Sequence, residues 1–157
     1  MQPEPDQIDL FYRFGAALLI GLLVGLQREY SHLQEAEERI FGGVRTFALL
    51  GLLGCTAAYV GAHAGSVLAF VVVVAIAGGL VIIAYAVTAR LGSIGMTSEA
   101  AAVITVLAGA LCYWGEVELA AALGVAMTVL LALKLQARKL VRNITPADVY
   151  ATLTFAV

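Results

Sequence analysis

A chain of 157 residues that is 62% hydrophobic and only 13% charged, with a mean hydropathy of +0.96, cannot clothe a soluble domain. Soluble domains run about 45–50% apolar and about 25% charged, so the composition points to one integral membrane domain and excludes a secreted soluble protein. The net charge of −2 says nothing about partners, but Lys and Arg are few and sit at span ends, which argues against a nucleic-acid interface.

The N-terminal "MQPEPDQIDL" has no basic n-region, and the apolar run behind it has no small-residue cleavage site. Ile8–Gln27 is therefore predicted to be a retained span rather than a signal peptide. It ends in "VGLQREY", where Arg28 and Glu29 break a long stretch without charge. Four more runs follow at Val44–Val60, Val67–Ala89, Ser98–Trp114 and Leu119–Ala137. They are continuous and rich in Ala and Leu, without period-2 alternation, so helices are expected rather than barrel strands. In lipid the backbone must bond to itself. The expected fold is thus all-α, a polytopic bundle of five spans.

Lys and Arg set the orientation. Arg28, Arg39 and Arg45 flank the first connection, Arg90 lies in the third, and Lys134, Arg138, Lys139 and Arg142 follow the fifth run. The second connection, "GAHAGS", and the fourth, "GEVE", contain neither. The positive-inside rule then puts the N-terminus outside and the C-terminus in the cytoplasm. Phe11, Tyr12, Tyr59, Tyr113 and Trp114 fall near the outer interface, and Tyr30 and Tyr85 near the inner one.

Small residues mark the packing faces, because lipid supplies no hydrophobic drive between helices. Gly21 and Gly25 form a GxxxG, and Ala120/Gly124 and Ala122/Ala126 repeat the spacing. Contacts within the chain are the ordinary use of such pairs, and a dimer seam is the alternative. Cys55 and Cys112 lie inside apolar runs and read as small core residues. No metal site is expected, since neither has His or Cys partners at ligand spacing.

Charge at span ends anchors helices in the headgroups, and Arg13, Lys134, Arg138, Lys139 and Arg142 are expected to snorkel there. Glu99 is different. Ala100–Trp114 gives only ~22 Å of helix, so the fourth span has to reach back through Thr97 and Ser98, drawing Glu99 into the hydrocarbon edge. An intramembrane carboxylate is costly and raises a functional hypothesis. A plainer role is a first-turn acid stabilised by the helix dipole. Arg28, Glu29, Arg45, Thr46, Thr97, Ser98 and Glu99 all fall at the cytoplasmic ends of spans, where they form a candidate charge cluster. Glu99 is expected to pair with Arg45 or Arg28, and Glu29 with the other arginine or with a loop donor.

Past the fifth run, Thr145 suits an N-cap, Pro146 the first helical position and Asp148 a capping acid. Residues 145–157 are expected to start a helix too short to span, beside a membrane domain over 1–144. Such a helix lies on the inner interface or continues into a longer chain.

The segments "GLQREY", "GGVRTFALLG" and "GMTSEAAAV", in this order and spacing, resemble the MgtC/SapB family of bacterial inner-membrane proteins. That family reads G-x-E-R-E at the end of the first span, then G-x-R-T, then G-[LM]-T-T opening a later span. The resemblance is closer to a branch of larger membrane proteins that carry the module N-terminally, with a Glu where Glu99 stands. It implies a multi-pass inner-membrane module linked to survival in low magnesium, whose archetype regulates other membrane machines. Gln27 departs from the pattern by replacing the first acid of E-R-E, which weakens a direct Mg²⁺ site, since such sites gather several oxygen anions.

Two functions follow as expectations. One is a module acting by interaction on other membrane proteins, with a homo-oligomer among the candidate partners and the lipid bilayer as its surroundings. The other is a small-ion transporter or channel subunit using Glu99 and Glu29. No cofactor and no enzyme activity are expected, because the sequence holds no Walker loop, His cluster or nucleophile elbow.

Overall fold

The computed structural model describes residues 6–35, 42–90 and 97–143. They form five helices and no strand: α1 Gln7–Glu35, α2 Val44–His63, α3 Val67–Arg90, α4 Thr97–Tyr113 and α5 Val117–Asn143. The all-helical architecture anticipated from the apolar runs is present. Three helices are long and apolar enough to cross a membrane, over Gln7–Ser31, Val44–His63 and Val67–Val87. The apolar parts of the other two, Thr97–Tyr113 and Val117–Leu133, are shorter. The segment from Thr145 onward, expected to begin a further helix, lies outside the described residues, as does Arg39.

Local signals fix the helix ends. The Asp6 carboxylate accepts from the Gln7 N–H at 2.8 Å, and Asp9 adds negative charge to the first turn of α1, where the dipole favours it. The α2–α3 and α4–α5 turns share one chemistry. In the first, Ser66 N–H donates to Gly61 O and Gly65 N–H to Ala62 O; in the second, Glu116 N–H donates to Leu111 O and Gly115 N–H to Cys112 O. Both are Schellman closures, which require a left-handed residue at the turn. Gly65 (φ 58°) and Gly115 (φ 88°) supply it.

Helices α1, α2 and α4 make the centre of the bundle through backbone contact rather than large side chains. A Cβ on Gly21 would meet the Phe47 carbonyl oxygen, and one on Gly51 the Ala17 carbonyl. Across the other face of α2, a Cβ on Gly54 would strike the Val106 carbonyl oxygen, and one on Gly109 the Gly51 carbonyl. Small residues let the helices approach this closely, and van der Waals packing then holds them. Two apolar clusters flank the contact, one around Ala17, Cys55, Ala108 and Cys112, the other around Val24, Phe47, Ala102 and Met127. Both cysteines are fully buried there and carry free thiols.

Helix α5 packs on α1 and α4, and α3 on α2 and α4. Only 11% of the apolar stretch of α3 is buried, against 44% for α2. Helix α3 is therefore the peripheral member, with Ile76, Leu80, Ile82 and Ile83 turned outward.

Candidate functional site: the charged ends of the bundle

Helix α1 carries one arginine toward each end, and each reaches α4. Arg28 is 5% exposed, and its Nη2 donates to the Ser98 hydroxyl in the first turn of α4. At the opposite end Arg13 donates from Nη1 to the carbonyl of Tyr113, the last residue of α4, and pairs with Asp9 at 2.7 Å. Fifteen positions separate Arg13 from Arg28, and fifteen separate Ser98 from Tyr113. Two antiparallel helices are thus tied at both ends in a single register. The Tyr113 carbonyl belongs to the negative end of the α4 dipole, so a cation beside it is favoured twice.

Glu29 ties α1 to α2. Its Oε2 accepts from the Val44 N–H at 3.2 Å. The N-cap residue of α2, Gly43, makes no side-chain cap of its own, so a carboxylate from the neighbouring helix fills that role. Gly43 also lies so close that a Cβ there would meet Glu29 Oε2 at 2.9 Å. Glu29→Ala is expected to lower stability by about 1 kcal/mol, the usual cost of a lost cap, with Glu29→Gln intermediate because it keeps an acceptor oxygen. Thermal unfolding in detergent checks this.

The remaining members of the expected cluster do not converge in the same way. Arg45 and Thr46 are exposed in the first turn of α2, and Thr97 is exposed at the start of α4. Glu99 is half-buried, and its Oε2 is buried without a hydrogen-bond partner. Among the described residues, no ion pair joins Glu99 to Arg28 or Arg45. The expected Arg–Glu99 pairing is therefore corrected: Arg28 takes the hydroxyl of Ser98 instead. The reason is helical geometry. Adjacent residues on a helix point in different directions, so turning Ser98 toward Arg28 turns Glu99 away from it.

Of the small-residue pairs, Gly21/Gly25 and Ala120/Gly124 pack within the chain. Gly21 and Gly25 face α2, where a Cβ on Gly25 would lie 2.6 Å from Val44 Cα. Ala120 is fully buried, and a Cβ on Gly124 would lie 2.9 Å from Ile20 Cγ2 of α1. Ala122 and Ala126 are exposed. Sequence reasoning missed Arg13, which it treated as a headgroup anchor. The Asp9/Arg13 pair at i,i+4 was the available signal, although the reach to Tyr113 depends on how α4 ends.

The three charged segments, Gly25–Tyr30, Gly42–Gly51 and Thr97–Val103, thus meet near one end of a glycine-packed bundle. The MgtC family model matches residues 14–140, a stretch that covers all three segments and most of the chain. The chain belongs to the MgtC family. No curated protein and no solved structure matches it. As an MgtC-family protein it presents apolar helices suited to a lipid bilayer. Among the described residues, no three His, Cys, Asp or Glu side chains gather where they could hold a metal ion.

Proposed function

We propose that this MgtC-family chain is a bacterial inner-membrane module that serves magnesium and ion homeostasis by binding and regulating other membrane proteins, without chemistry of its own. The observation that carries this reading is the use made of the polar groups. Arg28 bonds Ser98, Glu29 caps α2, and Arg13 holds the last turn of α4. These groups cross-link α1, α2 and α4 into one unit rather than assembling a coordination shell of oxygen anions. The Lys/Arg asymmetry orients the Arg28 end toward the cytoplasm.

A second reading, ion transport through Glu99, is favoured by one feature. Glu99 keeps a buried carboxylate oxygen with no hydrogen-bond partner, and an unsatisfied carboxylate at this depth is costly unless it is used. Reconstitution of the chain in vesicles, with flux assays for Mg²⁺, Na⁺ and H⁺, separates the two. The regulatory reading expects no flux above protein-free vesicles. It also expects Glu99→Gln to restore growth of a deletion strain on limiting magnesium as well as the wild-type chain does. Flux that Glu99→Gln abolishes would replace it with the transport reading.

A further inference from the structure

Where α2 turns into α3, a cleft of about 280 Å³ lies beside the end of α4, lined by Ala58, Gly61, Ala62, Val67, Phe70 and Trp114, with Gly65 and Ser66 at the turn. Its walls are almost wholly apolar, which in water would make it a liability and in a membrane makes it a receptacle. On α2 the lining is alanine and glycine, and at its base Gly61 lets α3 come close, since a Cβ there would meet Phe70 Cβ at 2.8 Å. Phe70 and Trp114 form the opposite wall, their rings 5.3 Å apart and tilted by 57°.

The cleft is continuous with the lipid-facing side of α3. Val67 at its edge is 79% exposed, and the outward row runs on through Leu68, Val71 and Val72. Hydrocarbon lying along α3 therefore meets the cleft without crossing a polar barrier. Trp114, 46% exposed, is of a ring type enriched at membrane–water interfaces, where an apolar body and a polar N–H are both accommodated.

We propose that this cleft holds one acyl chain of a phospholipid, with Trp114 as its outer wall. The lipid would fill the open part of the cleft and add apolar contact between the peripheral α3 and the rest of the bundle. The site lies at the opposite end from Arg28 and Glu99 and does not depend on the function proposed for them.

Trp114 is the chain's single tryptophan, so indole fluorescence reports from the wall of the cleft, and saturation separates a bound lipid from bulk lipid at its exposed face. The full chain in detergent micelles is titrated with a phosphatidylcholine carrying brominated acyl chains, whose bromine atoms quench indole on contact. The expected result is a saturable quenching phase that ends at a single lipid per chain. Ala62→Phe, at an exposed position on the cleft wall, should remove that phase with helix content retained. Leu68→Phe, on the open face of α3, should leave it intact. Quenching that rises linearly without saturation in the wild-type chain would overturn the proposal without recourse to any variant, because it describes bulk lipid. Saturable quenching that survives Ala62→Phe in a folded protein would overturn it as well. So would a cleft shielded from lipid by a second helix, which would appear as no quenching at all.

Discussion

Gly109→Leu is expected to prevent the bundle from closing. A Cβ at this position would overlie the Gly51 carbonyl oxygen and lie 3.1 Å from Cys55 N. Both obstacles are backbone, so no rotamer change relieves them. Overpacking in cores that can adjust costs about 1–3 kcal/mol. Here α2 and α4 must separate, and α1 packs on both. The loss is therefore expected to exceed ~3 kcal/mol and to appear as an aggregated or low-melting preparation in detergent. The comparison is Gly79→Leu on α3. Nothing lies within 4 Å of a Cβ there, and a leucine is the better helix former by roughly 0.5–1 kcal/mol. That variant should melt at or above the wild-type temperature. Equal melting of the two variants would mean that α2 and α4 do not touch backbone to backbone.

The second large effect is expected at Arg28. Arg28→Ala removes a hydrogen bond between a charged donor and Ser98 Oγ, a class of interaction that contributes about 1.5–3 kcal/mol. It also empties the space of a side chain that is 5% exposed, which adds a cavity cost. Arg45→Ala, at an exposed position in the first turn of α2, should stay within about 0.5 kcal/mol of the parent. Sequence reasoning left both arginines as candidates to hold Glu99 and did not rank them; the burial of Arg28 and the exposure of Arg45 do. A double-mutant cycle with Ser98→Ala isolates the contact: the two single losses should be non-additive by at least ~0.5 kcal/mol. Strict additivity would place the role of Arg28 elsewhere.

The helices were legible in the sequence because lipid leaves the backbone few options. The connections "GAHAGS" and "GEVE" were legible as breaks between the apolar runs, and each holds the glycine that supplies the left-handed residue of its Schellman closure. The small-residue spacing of Gly21 and Gly25 also pointed to an interface, and α2 occupies it. Partner choice among the charges was less legible. It depends on the azimuth of each side chain about its helix, and a step of one residue turns that direction by about 100°. Ser98 and Glu99 are one step apart, and the sequence favoured the carboxylate because charge attracts charge. The structure gives Arg28 to the hydroxyl. Arg13 was hidden for a related reason: its acceptor is a main-chain carbonyl, which leaves no signature in residue type.

The equal spacing of the two arginine contacts makes α1 and α4 behave like parts located by a pair of dowels. A single pin permits rotation about itself, but two pins at matched separation do not. Sliding α4 along α1 cannot trade one bond against the other, because Ser98 leaves Arg28 at the same moment that Tyr113 leaves Arg13. One residue inserted anywhere between Arg13 and Arg28 would swing one of them by about 100° and shift it by ~1.5 Å, so at most one dowel would still find its hole. The length of that segment, and not only its composition, is therefore part of what specifies this bundle.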